Sequence, residues 1–475
     1  MEGDAVRRHV NEEEATQYSP SAMLRGSSGH VVLAASVINR HYISRQPRGI
    51  LLRLVLRIGL SLIAMLSPVW CIQQVSVRRP DVRVTDSKFD IGIIGSGIAG
   101  GALAAALRDS GLRVLLLDRR DGPLDTSRGD HIQPAVQPLL ARWGVLDRLL
   151  AAGAERRAGT RWFDANGKHI VTVPVPDESG AARAFLFLNH EEIGRVLLDT
   201  ALESGAASVT GVSEWSLTSS AGQWTIDWQV GGQANSATCT LLVAADGTAS
   251  SVRSRLEIDV EKHRYQFPIA VLYGRQLGMS SERTLDVHLT QERMVSLIPR
   301  VGGETKVGFP ISAEELGFWK REKEEVLLRQ LALWCPGVAF DSLRFGAVYP
   351  PVAQQSKPYQ GKGAVVLLGD ARHAMHPARS MGMNTCFRVA DQLAIALNAL
   401  NPGFSQAQVL PVLAEFEAEF DRDLTPRLAE NHAAGLQMDT ITGNGFPDLA
   451  SQLRTVAADE RLLHGMALKA AGLSG

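Results

Sequence analysis

The stretch FDIGIIGSGIAGGALAAALRDSGLRVLLLDRR, residues 89–120, constrains the fold more than any other part of the chain. An apolar strand at residues 89–94 leads through glycines in G-x-G-x-x-G spacing into a helix of small residues. A second apolar strand then ends at Asp118. Strand, tight turn, helix and strand in this order form a βαβ unit. The sequence therefore predicts an α/β fold with a Rossmann-like domain.

Each fixed position of this motif has a physical reason. The first glycine permits the tight turn, the second lets a pyrophosphate approach the backbone, and the third lets the helix pack closely on the strand. The helix N-terminus faces the anion, and the carboxylate after the second strand suits a ribose diol. The motif alone does not distinguish FAD from NAD. The predicted dinucleotide contacts are Gly95, Gly97, Ile98, Ala99, Gly100, Asp118 and Arg119.

Two further apolar strands end in a carboxylate. The run TLLVAA leads into Asp246 and Gly247, and the run GAVVLL leads into GDARHAMHPARSMGMN, residues 369–384. A core strand gains nothing from such an ending, so both places indicate the rim of a site. Before the first of these runs, alternation in QWTIDWQV and turn signals at SSAG and GGQ predict a three-stranded antiparallel meander.

These three stretches together resemble the FAD-dependent aromatic hydroxylases, the single-component flavoprotein monooxygenases typified by para-hydroxybenzoate hydroxylase. The second stretch matches the family pattern D-G-x-x-S-x-V-R, and the third meets every fixed position of G-D-A-x-H-x-x-x-P-x-x-x-x-G-x-N. The resemblance covers roughly residues 88–400. Two departures are Arg372, where the family often has alanine, and residues 378–381, where it often has small or Gly-rich residues. Arg379 therefore has two interpretations, an anion contact or a solvated loop arginine.

The resemblance implies the cofactor contacts. The first motif would hold the ADP half of FAD, Arg128 would contact the flavin, and Asp370 would bond the ribityl chain. A helix starting near Gly382 would point its N-terminus at the flavin N1 and C2 carbonyl. The contacts implied beyond the first motif are Arg128, Asp246, Gly247, Gly369, Asp370, Pro377, Gly382, Met383 and Asn384.

The implied chemistry follows that family. NAD(P)H would reduce FAD, and O2 would form a C4a-hydroperoxide whose distal oxygen hydroxylates an electron-rich carbon. The Pro377 carbonyl would lie over the flavin where oxygen reacts, and His376 is a candidate proton relay. His373 is expected to be structural. Tyr273, His288 and Met294 are expected to be ordinary sheet residues.

The resemblance implies a Rossmann-like FAD-binding domain, a β-sheet substrate domain and C-terminal helices. Apolar periodicity further predicts single helices over residues 136–150 and 313–334. The chain end after residue 402 is predicted to be helical, as a cover of the flavin lobe or a dimer surface. The predicted boundaries are 1–87 for an N-terminal extension, 88–160, 186–260 and 350–402 for the FAD-binding domain, 161–185 and 261–349 for the substrate domain, and 403–475 for the C-terminal helices.

Composition excludes several classes. A formal net charge of -1 gives no basic field for nucleic acid. Four cysteines without C-x-x-C spacing argue against a zinc site or a disulfide framework and favour a reducing, cytoplasmic compartment. The apolar segment within residues 49–72 has four open interpretations: a membrane anchor, a targeting segment, upstream sequence added by a wrong start site, or a packed helix.

The predicted function is hydroxylation of an aromatic or polyketide-like molecule. The alternatives keep the fold and change the reaction: an isoprenoid or lipid epoxidase, or a flavin-dependent reductase of isoprenoid double bonds. A third class, a flavin-binding protein without NAD(P)H oxidation, also stays open. The sequence predicts a lipophilic or aromatic substrate and O2 as partners, no metal, and no particular oligomeric state.

Overall fold

The computed structural model describes residues 87–180, 182–278, 284–442 and 445–473. The strands are β1 Lys88–Ile94, β2 Val114–Leu117, β3 His131–Ile132, β4 Glu155–Arg157, β5 Gly159–Phe163, β6 His169–Pro174, β7 Phe185–Phe187, β8 Ala207–Val209, β9 Glu214–Ser220, β10 Gln223–Val230, β11 Gln233–Ala244, β12 Val260–Arg264, β13 Ile269–Leu277, β14 Leu285–Leu289, β15 Met294–Pro299, β16 Thr305–Pro310, β17 Ala339–Tyr349, β18 Val352–Ser356, β19 Ala364–Leu367 and β20 His373–Ala374.

Helices connect and cover these strands. They are α1 Ile98–Ala106, α2 Gln137–Arg142, α3 Leu146–Ala151, α4 His190–Glu203, α5 Ser251–Arg255, α6 Leu316–Arg321, α7 Glu324–Trp334, α8 Met381–Leu397, α9 Gln406–Ile441, α10 Phe446–Ala458 and α11 Glu460–Ala471.

The first sheet carries the βαβ unit. Its strand order is β8-β2-β1-β11-β10-β9, with β19 also paired to β11. Strands β8, β2, β1, β11 and β19 run parallel, whereas β9, β10 and β11 form an antiparallel meander. The predicted βαβ unit and the meander are therefore confirmed. Because β1, β2, β11 and β19 are parallel, their carboxyl ends lie at one edge of the sheet, where ligands bind in open α/β folds.

Apolar strand faces hold this sheet between helices. Ile91 and Ile93 of β1 are fully buried and pack with residues of α1, α4 and α8. Burial of each such side chain contributes about 1.5–3 kcal/mol. The other face buries Trp224, Ile226 and Trp228 of the meander. The sheet is thus a rigid support for whatever binds at its carboxyl edge.

The second sheet has the order β17-β13-β16-β15-β14-β5-β6, antiparallel except for the pair β14–β5. It confirms that the apolar stretches within 267–312 form one sheet. One face packs under α6 and α7 through Phe309, Trp319 and Trp334. Part of the sheet also packs on Phe446 of α10. The domain boundaries given above stay predictions.

Two predicted helices are each divided in the structure. The segment 136–150 contains α2 and α3, separated at Gly144, whose φ of +69° ends the first helix. The segment 313–334 contains α6 and α7, separated by extended backbone at Glu322 and Lys323. Apolar periodicity continues through both breaks, and this is why the pattern predicted a single helix in each place.

Of the C-terminal helices, α9 packs on the first sheet, whereas α10 and α11 pack on the second. Helix α9 buries Leu413, Phe416, Phe420 and Leu424 in the same core as α1 and α8. The predicted helical character of this region is confirmed, and its role as a cover of the flavin lobe or a dimer surface stays a prediction. Of the described helices, none is long and apolar enough to pass through a lipid bilayer. The extension 1–87, with its segment 49–72, lies outside the described residues except for residue 87.

Candidate functional site

The glycine turn after β1 is tight for steric reasons. Gly95 has a φ of +105°, and a Cβ atom there would lie 2.3 Å from the carbonyl oxygen of Ala245. A Cβ atom on Gly100 would lie 2.0 Å from the carbonyl oxygen of Gly95. Helix α1 starts after Gly97 without a capping side chain. Its first N–H groups therefore remain for an anion, as a pyrophosphate site requires. Ile98 and Ala99 are buried in its first turn.

Asp118 follows β2 at the same edge and is already hydrogen-bonded. Its Oδ2 accepts from the Ser96 N–H at 2.8 Å and from Nη2 of Arg120 at 2.8 Å. Burial raises the pKa of Asp118, but the Arg120 hydrogen bonds and charge outweigh burial and hold it below its ordinary value. Arg120, which the sequence analysis did not single out, thus shares the carboxylate predicted for ribose, and the neighbouring Arg119 is exposed.

The second motif ends β11 and begins α5. Oδ2 of Asp246 accepts hydrogen bonds from the Ser251 and Val252 N–H groups at 2.7 and 3.1 Å, so its carboxylate caps α5. Gly247 has a φ of +85° and no heavy atom near the place a Cβ would occupy. Asp246 thus caps a helix in addition to its predicted cofactor role. The space beside Gly247 is open.

Arg253 explains the last position of the second motif. This buried guanidinium donates through Nη1 to the Ala371 carbonyl oxygen at 3.0 Å and through Nη2 to that of Thr248 at 2.7 Å. The motif's serine, Ser250, accepts from the Arg253 N–H at 3.0 Å. Arg253 therefore fastens the second motif to the third.

The third motif brings Asp370 to the place where the three stretches meet. Gly369 has a φ of +60°, and a Cβ there would lie 2.5 Å from the Ala99 Cβ of α1. Oδ2 of Asp370 lies 3.3 Å from Oγ1 of Thr248 and 3.9 Å from Nη1 of Arg128. The Asp370 side chain is one-third exposed, at 33%, so its carboxylate remains accessible to a polyol.

Pro377 and His376 lie in the turn before α8. Pro377 is exposed at the start of a one-turn 3₁₀ helix, Pro377–Arg379. His376 is buried, and its Nδ1 accepts from the Ala378 N–H at 3.1 Å. Burial lowers the pKa of His376 to about 4, so the ring is neutral near pH 7. Because Nδ1 accepts this hydrogen bond, Nε2 is the ring nitrogen that could transfer a proton. The relay role stays a prediction.

The start of α8 is open and firmly anchored. It has no capping side chain, and the space beside Gly382 is empty. The buried Asn384 accepts from the Gln133 N–H at 2.9 Å and donates to the His131 carbonyl oxygen at 3.0 Å. Asn384 thereby holds β3 against the helix start. Met383 packs at the edge of the adjoining core.

The departures from the family pattern have structural partners. Arg372 is buried, pairs with Glu417 of α9 at 2.8 Å and lies over the Phe420 ring. Arg379 pairs with Glu430 at 2.6 Å. Burial lowers the pKa of His373 to about 3, with a further contribution from Arg372, which agrees with a structural histidine.

A buried charge cluster behind Arg128 escaped the sequence analysis. Nζ of Lys306, on β16, lies 2.6 Å from Oδ2 of Asp130 and donates to the Arg128 carbonyl oxygen. Nη2 of Arg300 lies 2.7 Å from Glu191. Burial lowers the pKa of Lys306, and Asp130 opposes that shift. The only available signal was a lysine inside the apolar strand TKVGFP.

Of the three expected sheet residues, Tyr273 contacts a loop and His288 contacts an aromatic ring. The Tyr273 hydroxyl donates to Oγ1 of Thr126 at 3.3 Å, beside the Arg128 loop. His288 stacks on Phe163 with ring centroids 4.7 Å apart. Met294 lies at the border of the cluster formed with α10. Within the described residues, no group of three or more His, Cys, Asp or Glu side chains is placed to hold a metal ion.

These residues fit FAD. Two uncapped helix starts, a glycine turn that a Cβ would block and an accessible carboxylate meet at one edge of a parallel sheet. The first motif would take the ADP half, Asp370 the ribityl chain, and the start of α8 the flavin ring.

Comparison with known proteins agrees. Residues 88–412 match the protein family described as FAD binding domain. The chain is 26% identical over 359 residues to dialkyldecalin synthase of Streptomyces rugosporus, covering 72% of this chain and 69% of that protein. It is 26% identical over 394 residues to 12-dehydrotetracycline 5-monooxygenase/anhydrotetracycline 6-monooxygenase of Streptomyces rimosus. This match covers 80% of this chain and 76% of that protein.

A solved structure shows the same fold. p-Nitrophenol 4-monooxygenase PnpA from Pseudomonas putida DLL-E4 superposes with a TM-score of 0.68 at 17% identity, covering 82% of this chain and 99% of that one. Together with the family match over more than half of the sequence, these findings identify the chain: it belongs to the FAD-dependent aromatic hydroxylase family and is an FAD-dependent oxidoreductase.

Proposed function

We propose that this chain is a monooxygenase that uses NAD(P)H and O2 to hydroxylate an aromatic or polyketide-like small molecule. The observation that carries the proposal is that Thr248 of the second motif and Arg128 of the loop after the first motif both lie beside the Asp370 carboxylate of the third. Relatives named as monooxygenases and hydroxylases of such molecules support it.

The reaction balances with two co-substrates. Bound FAD would accept hydride from NAD(P)H and allow one oxygen atom of O2 to enter the substrate, while the other leaves as water. The first turns of α1 and α8 would donate backbone N–H groups to the cofactor. Asp370 would accept from ribityl hydroxyls, and Arg128 would offer its positive charge beside it.

The protein's further task is to position substrate and exclude water. The second sheet is joined to the cofactor edge through Lys306, which reaches the Arg128 loop. Tyr273 makes a second link through Thr126. Both links are partly buried and hold the Arg128 loop against the sheet, whereas Thr126 and Arg128 themselves are exposed. Exclusion of water from the substrate would depend on this loop staying in place.

The test uses the full chain purified with FAD. Its visible spectrum is recorded, and NADH or NADPH is then added in air with phenols, polyketide phenols and isoprenoids. We expect nicotinamide oxidation and O2 consumption to accelerate with one aromatic class, and a product heavier by one oxygen atom. Reduced flavin that passes electrons to an isoprenoid without O2 would instead establish the reductase alternative.

A second candidate rests on the relative named dialkyldecalin synthase. A synthase reaction on this fold needs no net consumption of NAD(P)H. The same experiment separates the two, because a synthase would bind FAD, leave NAD(P)H unoxidised and take up no oxygen.

A further inference from the structure

A basic cleft lies beside the third motif, between the start of α8, the middle of α9 and the end of α11. Four cationic side chains line it, together with one carboxylate, Glu430: Arg379, Arg388, Arg427 and Lys469. Gln133 and Thr385 add polar groups, and Met381 connects the cleft to the first turn of α8. The lining charges therefore sum to a strong positive excess.

The single carboxylate is already used. Oε1 of Glu430 lies 2.6 Å from Nη1 of Arg379 and 3.3 Å from Nζ of Lys469. Burial raises the pKa of Glu430, but these two partners outweigh it and hold the pKa below its ordinary value. Glu430 thus neutralises charge on the Arg379 side and none is left for the other two cations.

Arg388 and Arg427 face this cleft without an acidic partner. Nη2 of Arg388 donates to the Gly472 carbonyl oxygen at 2.6 Å. Burial and the neighbouring charge of Arg427 both lower the pKa of Arg388, yet a guanidinium stays charged at any physiological pH. Within the part of the chain that the structure describes, no carboxylate lies within ion-pairing distance of either group. Partly buried like charges of this kind are stabilised when an anion lies between them.

We propose that this cleft binds an oxyanion, a carboxylate or phosphate group, between Arg388 and Arg427. The planar fork of a guanidinium presents two parallel donors that match such a group. Gln133 and Thr385 are buried in its wall, where Gln133 Nε2 donates to the Ala470 carbonyl oxygen and the Thr385 hydroxyl to the Met375 sulfur, so the two arginines are the main donors to the anion. The anion site itself follows from the charges. Its assignment to a carboxylate of the substrate or a phosphate of the nicotinamide dinucleotide rests on the proposed function.

The test measures binding in the FAD-loaded full chain without turnover. Inorganic phosphate is titrated by calorimetry at low ionic strength into the unaltered protein, Arg427→Gln and Arg422→Gln. Arg422 is an exposed residue of the same helix that pairs only with its neighbour Asp423 among the described residues, so it controls for net charge. We expect the unaltered protein and Arg422→Gln to bind phosphate equally, and Arg427→Gln to bind about tenfold more weakly.

Equal phosphate binding by Arg427→Gln, or none by the unaltered protein, would overturn the proposal. If Arg427→Gln does not fold, Arg427→Lys keeps the charge and removes the fork, and weaker binding is again expected. Displacement of phosphate by benzoate would assign the site to a substrate carboxylate, and displacement by 2′-AMP to the nicotinamide dinucleotide. Displacement by neither would refute the assignment to the reaction, whatever the outcome of the oxygen measurements.

Discussion

Arg253 lies with its Nη1 atom 3.0 Å from the carbonyl oxygen of Ala371, in a different motif 118 residues along the chain. Its Nη2 atom holds the Thr248 carbonyl at 2.7 Å, and Thr248 in turn donates to Asp370. The guanidinium is buried, so these carbonyl contacts form in a medium where water offers no replacement. One side chain thereby fixes the position of the carboxylate expected to bind the ribityl chain.

Replacement of Arg253 tests this connection. Arg253→Met removes the donor to the Thr248 carbonyl and one of the two donors to the Ala371 carbonyl, which keeps its bond from Ser356 Oγ, and it loosens the loop that carries Asp370. We expect FAD affinity to fall about tenfold or more, with a loss of about 1–3 kcal/mol in the free energy of unfolding. FAD fluorescence titration and urea unfolding measure both. The exposed Arg264→Met serves as the control, and equal losses in the two variants would contradict the assigned connection.

Asp370→Ala removes the carboxylate itself. We expect FAD to bind about tenfold to a hundredfold more weakly, because hydrogen bonds to a charged group contribute about 1.5–3 kcal/mol each. Equilibrium dialysis against FAD gives the affinity. Asp227→Ala, which removes an exposed carboxylate bonded to Ser236 on the meander, is the control. Normal FAD binding by Asp370→Ala would refute its assigned role.

Two glycines provide a matched pair for stability. A methyl group on Gly100 would lie 2.0 Å from a backbone oxygen, whereas one on Gly465 of α11 meets no heavy atom within 4 Å. We expect Gly100→Ala to lower the free energy of unfolding by about 1–3 kcal/mol or more. Gly465→Ala is expected to raise it by up to about 1 kcal/mol, because glycine is a poor helix former. The midpoints of urea unfolding measure both changes. Similar midpoints for the two variants would show that α1 can move away from the glycine turn to accommodate a methyl group at position 100.

Buried neutral histidines predict a loss of stability in acid. Burial lowers the pKa values of His131, His288 and His376 to about 4 and, with Arg372, that of His373 to about 3. The unfolded chain therefore binds more protons than the folded chain between pH 6.5 and about 4. Stability is complete above pH 6.5 and falls as the pH drops, by up to about 1.4 kcal/mol per pH unit for each group.

The measurement is the free energy of unfolding at several pH values. His288→Leu removes one such group from a site beside Phe163, away from the cofactor edge. We expect its acid slope to be smaller by one proton. An unchanged slope would mean that His288 takes up its proton in the folded state.

The pair Lys306–Asp130 tests the cluster behind Arg128. Lys306→Met leaves the Asp130 carboxylate buried with Arg300 as its more distant cation, at 3.7 Å. We expect a loss of about 3 kcal/mol in the free energy of unfolding, because a buried charge loses its partner. Adding Asp130→Asn is expected to restore part of it. A double variant that is no more stable than Lys306→Met would contradict this coupling.

The sequence predicted which residues come together at the carboxyl edge of the first sheet because its signals are local. Asp118, Asp246 and Asp370 each follow an apolar strand, and parallel strands bring their carboxyl ends to one edge. Gly95 and Gly100, which contact each other, are separated by only four residues along the chain. Such short-range geometry leaves a mark in the spacing of residues.

Pairings between distant elements leave no such mark. Arg372 and Glu417 are 45 residues apart, and nothing in the periodicity of α9 specifies which of its charged positions meets the third motif. The breaks at Gly144 and at Glu322 were missed for a related reason, since apolar spacing records burial and not the direction of the backbone. Lys306 was missed because its partner Asp130 lies on another domain of the predicted arrangement.

Helix α9 holds the third motif at several points. Glu417 neutralises the buried Arg372, and the Asn431 side chain bonds both the N–H and the carbonyl of His376, at 2.9 and 3.1 Å. A fragment cut at residue 402 would therefore keep all three motifs but lose the ion pair of Arg372 and both hydrogen bonds to the His376 backbone. We therefore expect a unit that folds and binds FAD to need this helix, although none of its residues lies in the three motifs.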